Sequence, residues 1–143
     1  MKIPITNLAD LKKLLPHREP MMMVDSLLDF SEGKATVGFT ILKDNLFVAN
    51  NEFSETGLIE HMAQAAALYT GYKNYADNLP AKEGFIASIK TVSIQHLPKV
   101  NAYLKTEVAI VYELMHLTTV KLSIFNGNFE IANAEMNLML NVS

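Results

Sequence analysis

The chain has 143 residues, of which 50% are hydrophobic and 19% are charged, and this composition is typical of a folded domain rather than a disordered segment. Its formal net charge of -3 argues against nucleic acid as a partner, because the phosphate backbone requires a concentrated positive face. The absence of cysteine excludes disulfides, thiolate metal sites and cysteine nucleophiles.

The N-terminal part of the chain predicts one short helix and one strand. Asn7 can cap a helix in which leucines recur at helical spacing until Pro16 ends it. An apolar, methionine-rich segment follows at 20–30. The turn around Gly33 then leads into a strand at 35–41, where apolar side chains alternate with small or polar ones.

The segment from Gly57 to Asp77 predicts a long helix. Apolar residues cover almost every direction around it, and a helix that is apolar on all sides is surrounded by other structure. Ser54 or Thr56 can cap its first turn. We therefore expect this segment to be the core helix of a single domain that spans residues 1–143.

The rest of the chain predicts long strands. Apolar side chains in a strand pattern mark four of them, at 85–97, 102–114, 117–125 and 131–142. Asn126-Gly127 is a strong hairpin signal and predicts a type I′ turn with both residues at its centre. A core helix followed by such strands indicates an antiparallel sheet curled around the helix, which is the hot-dog architecture of the α+β class.

Several kinds of site and location are not expected from this sequence. No apolar run approaches the roughly 20 residues of a membrane span, and the start lacks the continuous apolar stretch of a secretory signal. We therefore expect a cytoplasmic protein without a membrane span. The glycines do not cluster as in phosphate-binding loops, and the histidines lack metal-ligand spacing, so we expect no cofactor and no metal.

The residues that carry chemistry lie in the first turns of the predicted core helix. Glu60, His61 and Gln64 fall within an arc of roughly 100° and form a polar stripe on an otherwise apolar rod. Gln64 lies one turn after Glu60, so its amide can hold the carboxylate in one rotamer. Because a buried carboxylate is costly unless it is paired, two interpretations stay open. The stripe is either a satisfied polar network at a subunit seam or a pocket in which Glu60 is a general acid or base.

Two stretches of the chain resemble the 3-hydroxyacyl-acyl-carrier-protein dehydratases of fatty-acid synthesis. LPHREPMMMVD at 15–25 is similar to the L-P-H-R-x-P-(apolar)₃-V-D segment of that family. LIEHMAQAA at 58–66 is similar to its L-I-E-x-M-A-Q-A-A helix. The order of the two stretches, their separation and the strand pattern that follows agree as well, so the resemblance covers nearly the whole chain.

The resemblance implies a homodimer or larger assembly with an acyl tunnel at the subunit interface. It implies that Glu60 is catalytic and works with a loop histidine from the other subunit, while Gln64 steadies the acid. The backbone amide of Gly57 or its neighbour would polarise the carbonyl of an acyl thioester carried by acyl carrier protein or coenzyme A. Elimination of water requires one group to remove the proton beside the carbonyl and another to protonate the departing hydroxyl.

The chain departs from this family in the loop before the helix. The family's G-H-F-P-G loop falls on FVANNEFS at 47–54, which contains no histidine. The best matches are Asn50 and Asn51, and asparagine can hold a carbonyl or a water molecule but cannot act as a base near neutral pH. The departure also resembles the dehydratase-like proteins of aryl-polyene and flexirubin-type pigment pathways. The candidate substrate-binding residues are therefore Gly57, Gln64, His17, Asn50, Asn51 and His61.

Three functions are consistent with these observations. The first is a dehydratase that acts on 3-hydroxyacyl thioesters. The second is a non-catalytic, dehydratase-like subunit that forms a heterodimer with an active relative, since the loop histidine is missing. The third is an acyl thioesterase, in which the helix carboxylate activates water and no loop histidine is needed.

Overall fold

The computed structural model of the chain describes residues 1–79 and 84–140. Its helices are α1 (Leu8–Leu14) and α2 (Glu55–Ala76). Its strands are β1 (Ser26–Ser31), β2 (Lys34–Thr40), β3 (Val48–Ala49), β4 (Glu52–Phe53), β5 (Gly84–Ile94), β6 (Tyr103–Leu114), β7 (Leu117–Asn126) and β8 (Phe129–Leu140).

The main sheet has six strands in the order β1-β2-β6-β7-β8-β5, and all neighbouring strands are antiparallel. In the chain, α2 connects the β1–β2 side of this sheet with β5 at the opposite edge. The helix therefore crosses one face of the sheet and contacts β2, β5, β6, β7 and β8. This arrangement of a long helix against an antiparallel sheet confirms the predicted fold class.

α2 is the core helix that its composition predicts. Leu58, Met62, Ala65, Ala66 and Leu68 are each 0% exposed. Ser54, rather than Thr56, is the N-cap, and its Oγ accepts a hydrogen bond of 3.1 Å from the N–H of Gly57, so the helix begins at Glu55.

The buried apolar residues of the described part form one cluster. One domain over residues 1–143 stays a prediction. No helix in the described ranges combines the length and the apolar character that crossing a bilayer requires.

The N-terminal elements agree with the prediction at α1 and extend it at β1. The Oδ1 of Asn7 accepts a hydrogen bond of 2.7 Å from the N–H of Ala9, as expected for the cap of α1. The sequence showed only an apolar segment at 20–30, whereas Ser26–Ser31 forms an edge strand. A register shift between Leu27 and Asp29 interrupts its alternation, which explains why periodicity did not reveal it.

The long strands follow the predicted order, and the β7–β8 turn differs from the prediction. Asn126 belongs to β7, and the turn is centred on Gly127 and Asn128. Only Gly127 has a positive φ there, 63°, which is typical of a type II′ turn rather than the predicted type I′. Positive φ at both central residues occurs instead at Asn50 (54°) and Asn51 (64°), between β3 and β4. Residues 141 and 142 of the predicted last strand lie outside the described residues.

Candidate functional site

The polar stripe of α2 faces the main chain of residues 21–23. The fully buried Gln64 accepts a hydrogen bond of 2.6 Å from the N–H of Met23 at Oε1. Its Nε2 donates to the carbonyl of Met21 at 2.7 Å and to Oε1 of Glu60 at 2.9 Å. The amide of Gln64 therefore joins the methionine segment to the half-buried carboxylate, and the Glu60 contact is the one that the spacing of these two residues predicts.

His17 is the histidine whose side chain interacts electrostatically with Glu60 and has an unoccupied ring nitrogen. It is half-buried in the connection between α1 and β1. Burial lowers the pKa of His17, the Glu60 carboxylate opposes this shift, and Arg18 adds to it. Its Nδ1 is buried and has no hydrogen-bond partner among the described residues. A mainly neutral imidazole with a ring nitrogen that has no partner among the described residues can accept a proton.

Arg18 supports the loop that carries His17. Its Nη1 donates hydrogen bonds of 2.7 Å to the carbonyls of Leu15 and of His17 itself, and its Nη2 donates at 3.2 Å to the carbonyl of Lys12. Two of these three carbonyls lie in the last turn of α1 and just after it. Cationic donors are favourable at a helix C-terminus, so Arg18 both caps α1 and stiffens the loop.

His61 lies in the core, although it is next to Glu60 in the chain. Its Nδ1 is 2.7 Å from the carbonyl oxygen of Met23, and its Nε2 is 2.6 Å from Oγ1 of Thr106. Because a carbonyl can only accept, Nδ1 carries the proton and Nε2 accepts from the Thr106 hydroxyl. Burial lowers the pKa of His61 to about 4, so the ring is neutral at pH 7. Both nitrogens are occupied within the chain, and the geometry offers neither to a substrate.

The amide of Gly57 is engaged within the helix start. Its N–H donates to Oγ of Ser54, which is the N-cap contact, so the amide that was expected to polarise a thioester carbonyl already has an acceptor. A Cβ at this position would lie 2.6 Å from a ring carbon of Phe53 and 2.8 Å from Cβ of Phe47. Glycine is therefore required here for the close packing of the preceding segment on α2.

Asn50 and Asn51 form the exposed turn between β3 and β4. Asparagine tolerates positive φ better than most residues, and this tolerance accounts for both positions. Within residues 1–79 and 84–140, no hydrogen bond joins either side chain to Glu60 or His17. Their contact with substrate stays a prediction.

A cavity of about 990 Å³ lies elsewhere on the protein. It is lined by residues 95–102, Asn126 and 129–131, and so neither Glu60 nor His17 belongs to it. In the part of the chain that the structure describes, no group of three or more histidine and acidic side chains is arranged to hold a metal ion. The chemistry available at Glu60 is therefore that of a carboxyl group, an imidazole and an oriented amide.

A comparison with protein families identifies this combination of fold and site. A family model described as ApeP-like, ApeP dehydratase, matches residues 9–141. The chain belongs to the ApeP-like dehydratase family. The match includes the segment that carries His17 and the helix that carries Glu60 and Gln64, and it confirms the resemblance to hot-dog dehydratases of the aryl-polyene type.

Individual relatives of this ApeP-like chain are more distant. The 3-hydroxyacyl-acyl-carrier-protein dehydratase FabZ of Clostridium botulinum is 32% identical over 68 residues, which is 43% of this chain and 47% of the relative. The chain thus spans about half the length of the curated relatives it matches.

Two solved structures share the fold of this ApeP-like chain. The dehydratase heterocomplex ApeI:P from Xenorhabdus doucetiae matches with a TM-score of 0.87 at 15% identity, over 100% of this chain and 94% of the other. A hypothetical thioesterase with coenzyme A from Streptococcus pneumoniae matches with a TM-score of 0.67 at 10% identity, over 80% and 84%. These similarities show the hot-dog fold.

Proposed function

We propose that this chain eliminates water from a 3-hydroxyacyl thioester and that Glu60 and His17 of the same chain are its acid–base pair. The observation that carries the proposal is the half-buried Glu60 carboxyl group, whose Oε1 accepts a hydrogen bond of 2.9 Å from Nε2 of Gln64 and is held in place by it. His17 supports the proposal because the Glu60 carboxylate opposes the lowering of the pKa of His17 by burial, and because its Nδ1 has no partner among the described residues. Membership of a dehydratase family supports the same reaction.

The proposed reaction assigns one proton transfer to each group. Neutral His17 removes the proton from the carbon beside the thioester carbonyl, and the electron pair forms the new carbon–carbon double bond as the hydroxyl leaves. A proton on the Glu60 carboxyl group passes to the departing hydroxyl, which leaves as water. Exchange of protons with water then returns His17 to its neutral form and Glu60 to its starting form.

A second subunit completes the site in this proposal. β5 is the last strand of the sheet, and Ile89 (42%) and Val92 (43%) on it are exposed. An exposed edge strand with apolar side chains favours pairing with another chain. Glu60 also lies outside the cavity described above, and in this proposal a partner surface encloses the acyl chain beside it. The substrate carrier, acyl carrier protein or coenzyme A, and the choice between homodimer and heterodimer are part of this proposal.

The direct test is turnover of a 3-hydroxyacyl substrate on acyl carrier protein, followed by mass spectrometry as loss of one water. Glu60→Gln should reduce the rate by about 10²-fold or more, because the side chain keeps its shape but loses its transferable proton. Glu55→Gln removes an exposed carboxylate from the first turn of the same helix and is the matched control. A Glu60→Gln variant with the turnover of Glu55→Gln would refute the role of Glu60.

A non-catalytic subunit is the second candidate, and a specific observation favours it. Residues 47–54 contain no histidine, and the dehydratase heterocomplex ApeI:P from Xenorhabdus doucetiae shares the fold of this chain. The experiment is to combine the Glu60→Gln chain with an unaltered dehydratase partner. Full activity of that mixed complex would support the non-catalytic role, whereas its loss would assign the chemistry to this chain.

A thioesterase is the third candidate, because a neighbour of the same fold is named a hypothetical thioesterase. Release of free thiol from acyl-coenzyme A or acyl carrier protein would support it, and the absence of release together with enoyl formation would exclude it.

The cytoplasmic location expected from the sequence stays a prediction.

A further inference from the structure

We propose that His61 is a positioning residue, whose neutral imidazole holds the main chain of residues 21–23 against α2 and so fixes His17 relative to Glu60. The inference rests on the proposed function, because it concerns the same pair of side chains. It adds a role for a buried residue that makes no contact with substrate in that proposal.

The first argument is the way in which Met23 is bound. Its N–H donates to Oε1 of Gln64 at 2.6 Å, and its carbonyl accepts from Nδ1 of His61 at 2.7 Å. Both backbone polar groups of Met23 are therefore bound by side chains of α2, before β1 begins at Ser26. Removal of either side chain would leave a buried backbone group without its partner, which is costly enough to displace the segment.

The second argument is that the imidazole connects two elements. Its Nε2 accepts from the hydroxyl of Thr106 on β6 at 2.6 Å, and both side chains are 0% exposed. The ring also stacks on Phe39 of β2, with centroids 5.4 Å apart and an interplanar angle of 21°. The ring cannot rotate without losing one of these contacts. His61 therefore holds the main chain at Met23 in a fixed position relative to β2 and β6.

The third argument is the short connection from Met23 back to His17. The N–H of Met21 donates to the carbonyl of Arg18 at 2.9 Å, which closes a turn in this connection. The guanidinium of Arg18 is in turn bonded to the carbonyl of His17. These hydrogen bonds constrain the connection between His17 and Met23. A shift of the main chain at Met23 should therefore also move the imidazole of His17.

The test compares two replacements of similar shape, His61→Asn and His61→Leu. The amide of asparagine can still donate to the carbonyl of Met23, whereas leucine cannot. The readout is the pKa of His17, measured by NMR titration in each variant with Glu60 and with Glu60→Gln. The difference between the two pKa values reports the interaction of His17 with Glu60 and requires no turnover.

We expect His61→Asn to retain most of the wild-type pKa difference and His61→Leu to retain less than about half of it. In the dehydration assay, kcat of His61→Leu should fall by about 10-fold or more below that of His61→Asn, with little change in KM, because misplacement of a reacting group lowers the rate of the chemical step. Equal pKa differences in the two folded variants would overturn the proposal. Absence of dehydratase activity from the wild-type chain, both alone and combined with a dehydratase partner, would refute the proposed function and leave this NMR result interpretable.

A second pair keeps the proposal testable if His61→Leu does not fold. Thr106→Ser retains the hydroxyl that donates to Nε2 of His61, and Thr106→Val removes it at nearly constant volume. Thr106→Val should leave the imidazole of His61 less firmly held. The difference between the His17 pKa values measured with Glu60 and with Glu60→Gln should therefore decrease in Thr106→Val but not in Thr106→Ser. Equal values in these two variants would likewise overturn the positioning role.

Discussion

Two histidines lie near the polar stripe of α2, and their surroundings differ. His17 is half-buried, interacts with the charge of Glu60 and has a buried Nδ1 without a partner among the described residues. His61 is 0% exposed, and its two ring nitrogens are bonded to the carbonyl of Met23 and the hydroxyl of Thr106.

The difference shows that position in the chain is a poor guide to the role of a polar residue. His61 is adjacent to Glu60 in the sequence, yet all its hydrogen-bonding capacity is used inside the protein. His17 is 43 positions away from Glu60, and its buried Nδ1 has no hydrogen-bond partner among the described residues. A complete set of buried hydrogen bonds indicates a structural or positioning role, whereas an incomplete set next to a charge indicates chemistry.

The largest expected effect is a loss of turnover when His17 is replaced. His17→Asn should lower kcat for dehydration by about 10²–10⁴-fold, because asparagine cannot accept the proton that the proposal assigns to His17. His116→Asn, at an exposed position in the β6–β7 turn, is the matched control. Steady-state kinetics and urea denaturation would be measured on both variants. Wild-type kcat in a folded His17→Asn variant would show that this comparison does not reflect catalysis.

The next effect concerns Gln64, which is bonded to the segment between the two histidines. Gln64→Leu should lower the free energy of unfolding by about 3 kcal/mol, since the N–H of Met23 and the carbonyl of Met21 both lose a buried partner. Thr70→Val on the same helix loses one longer bond to a helical carbonyl and should change stability much less. Similar denaturation midpoints for the two variants would contradict the bonding scheme.

The lowered pKa values of His61 and His17 predict that the free energy of unfolding decreases as the pH falls. The pKa of His61 is about 4 in the folded protein, whereas a free histidine, and hence the unfolded chain, has a pKa of 6.5. Between pH 4 and pH 6.5 the unfolded chain therefore binds more protons than the folded one. The contribution of His61 is therefore complete above pH 6.5 and falls by about 2 kcal/mol between pH 7 and pH 5. Burial lowers the pKa of His17 as well, which acts in the same direction.

Urea denaturation of wild type and His61→Asn at pH 7 and pH 5 isolates the His61 contribution, because His17 is present in both. The loss of stability on acidification should be smaller in the variant by about 2 kcal/mol. The same loss in both proteins would mean that His61 is not buried in its neutral form.

The smallest expected effect is at the turn between β3 and β4. Glycine adopts the φ of 54° at Asn50 without strain, so Asn50→Gly should change the free energy of unfolding by less than about 0.5 kcal/mol. Turnover should change by less than about twofold, because no bond in the described residues links this side chain to the Glu60–His17 pair. A large loss of turnover without a loss of stability would restore Asn50 as a substrate-binding residue, supplied across an interface.

The helix and its polar stripe were predictable because their signals are local. A turn of helix brings Gln64 to Glu60, and Asn7 and Ser54 reach the first N–H groups of their own helices. The strands β6, β7 and β8 were predictable for a similar reason, since their buried side chains alternate over part of each strand with less buried ones. β1 was missed because a register shift breaks that alternation within six residues.

The sequence by itself determined a core helix with one orientable carboxyl group, several alternating strands and the absence of a histidine at 47–54. Only the tertiary structure decided which histidine has a ring nitrogen without a partner in the described residues and which has both nitrogens bonded in the core. The deciding contacts, such as Met23 to Gln64 and His61 to Thr106, join residues 41 and 45 positions apart. No local period encodes such pairs, because they depend on how the methionine segment and β6 pack against the same part of α2.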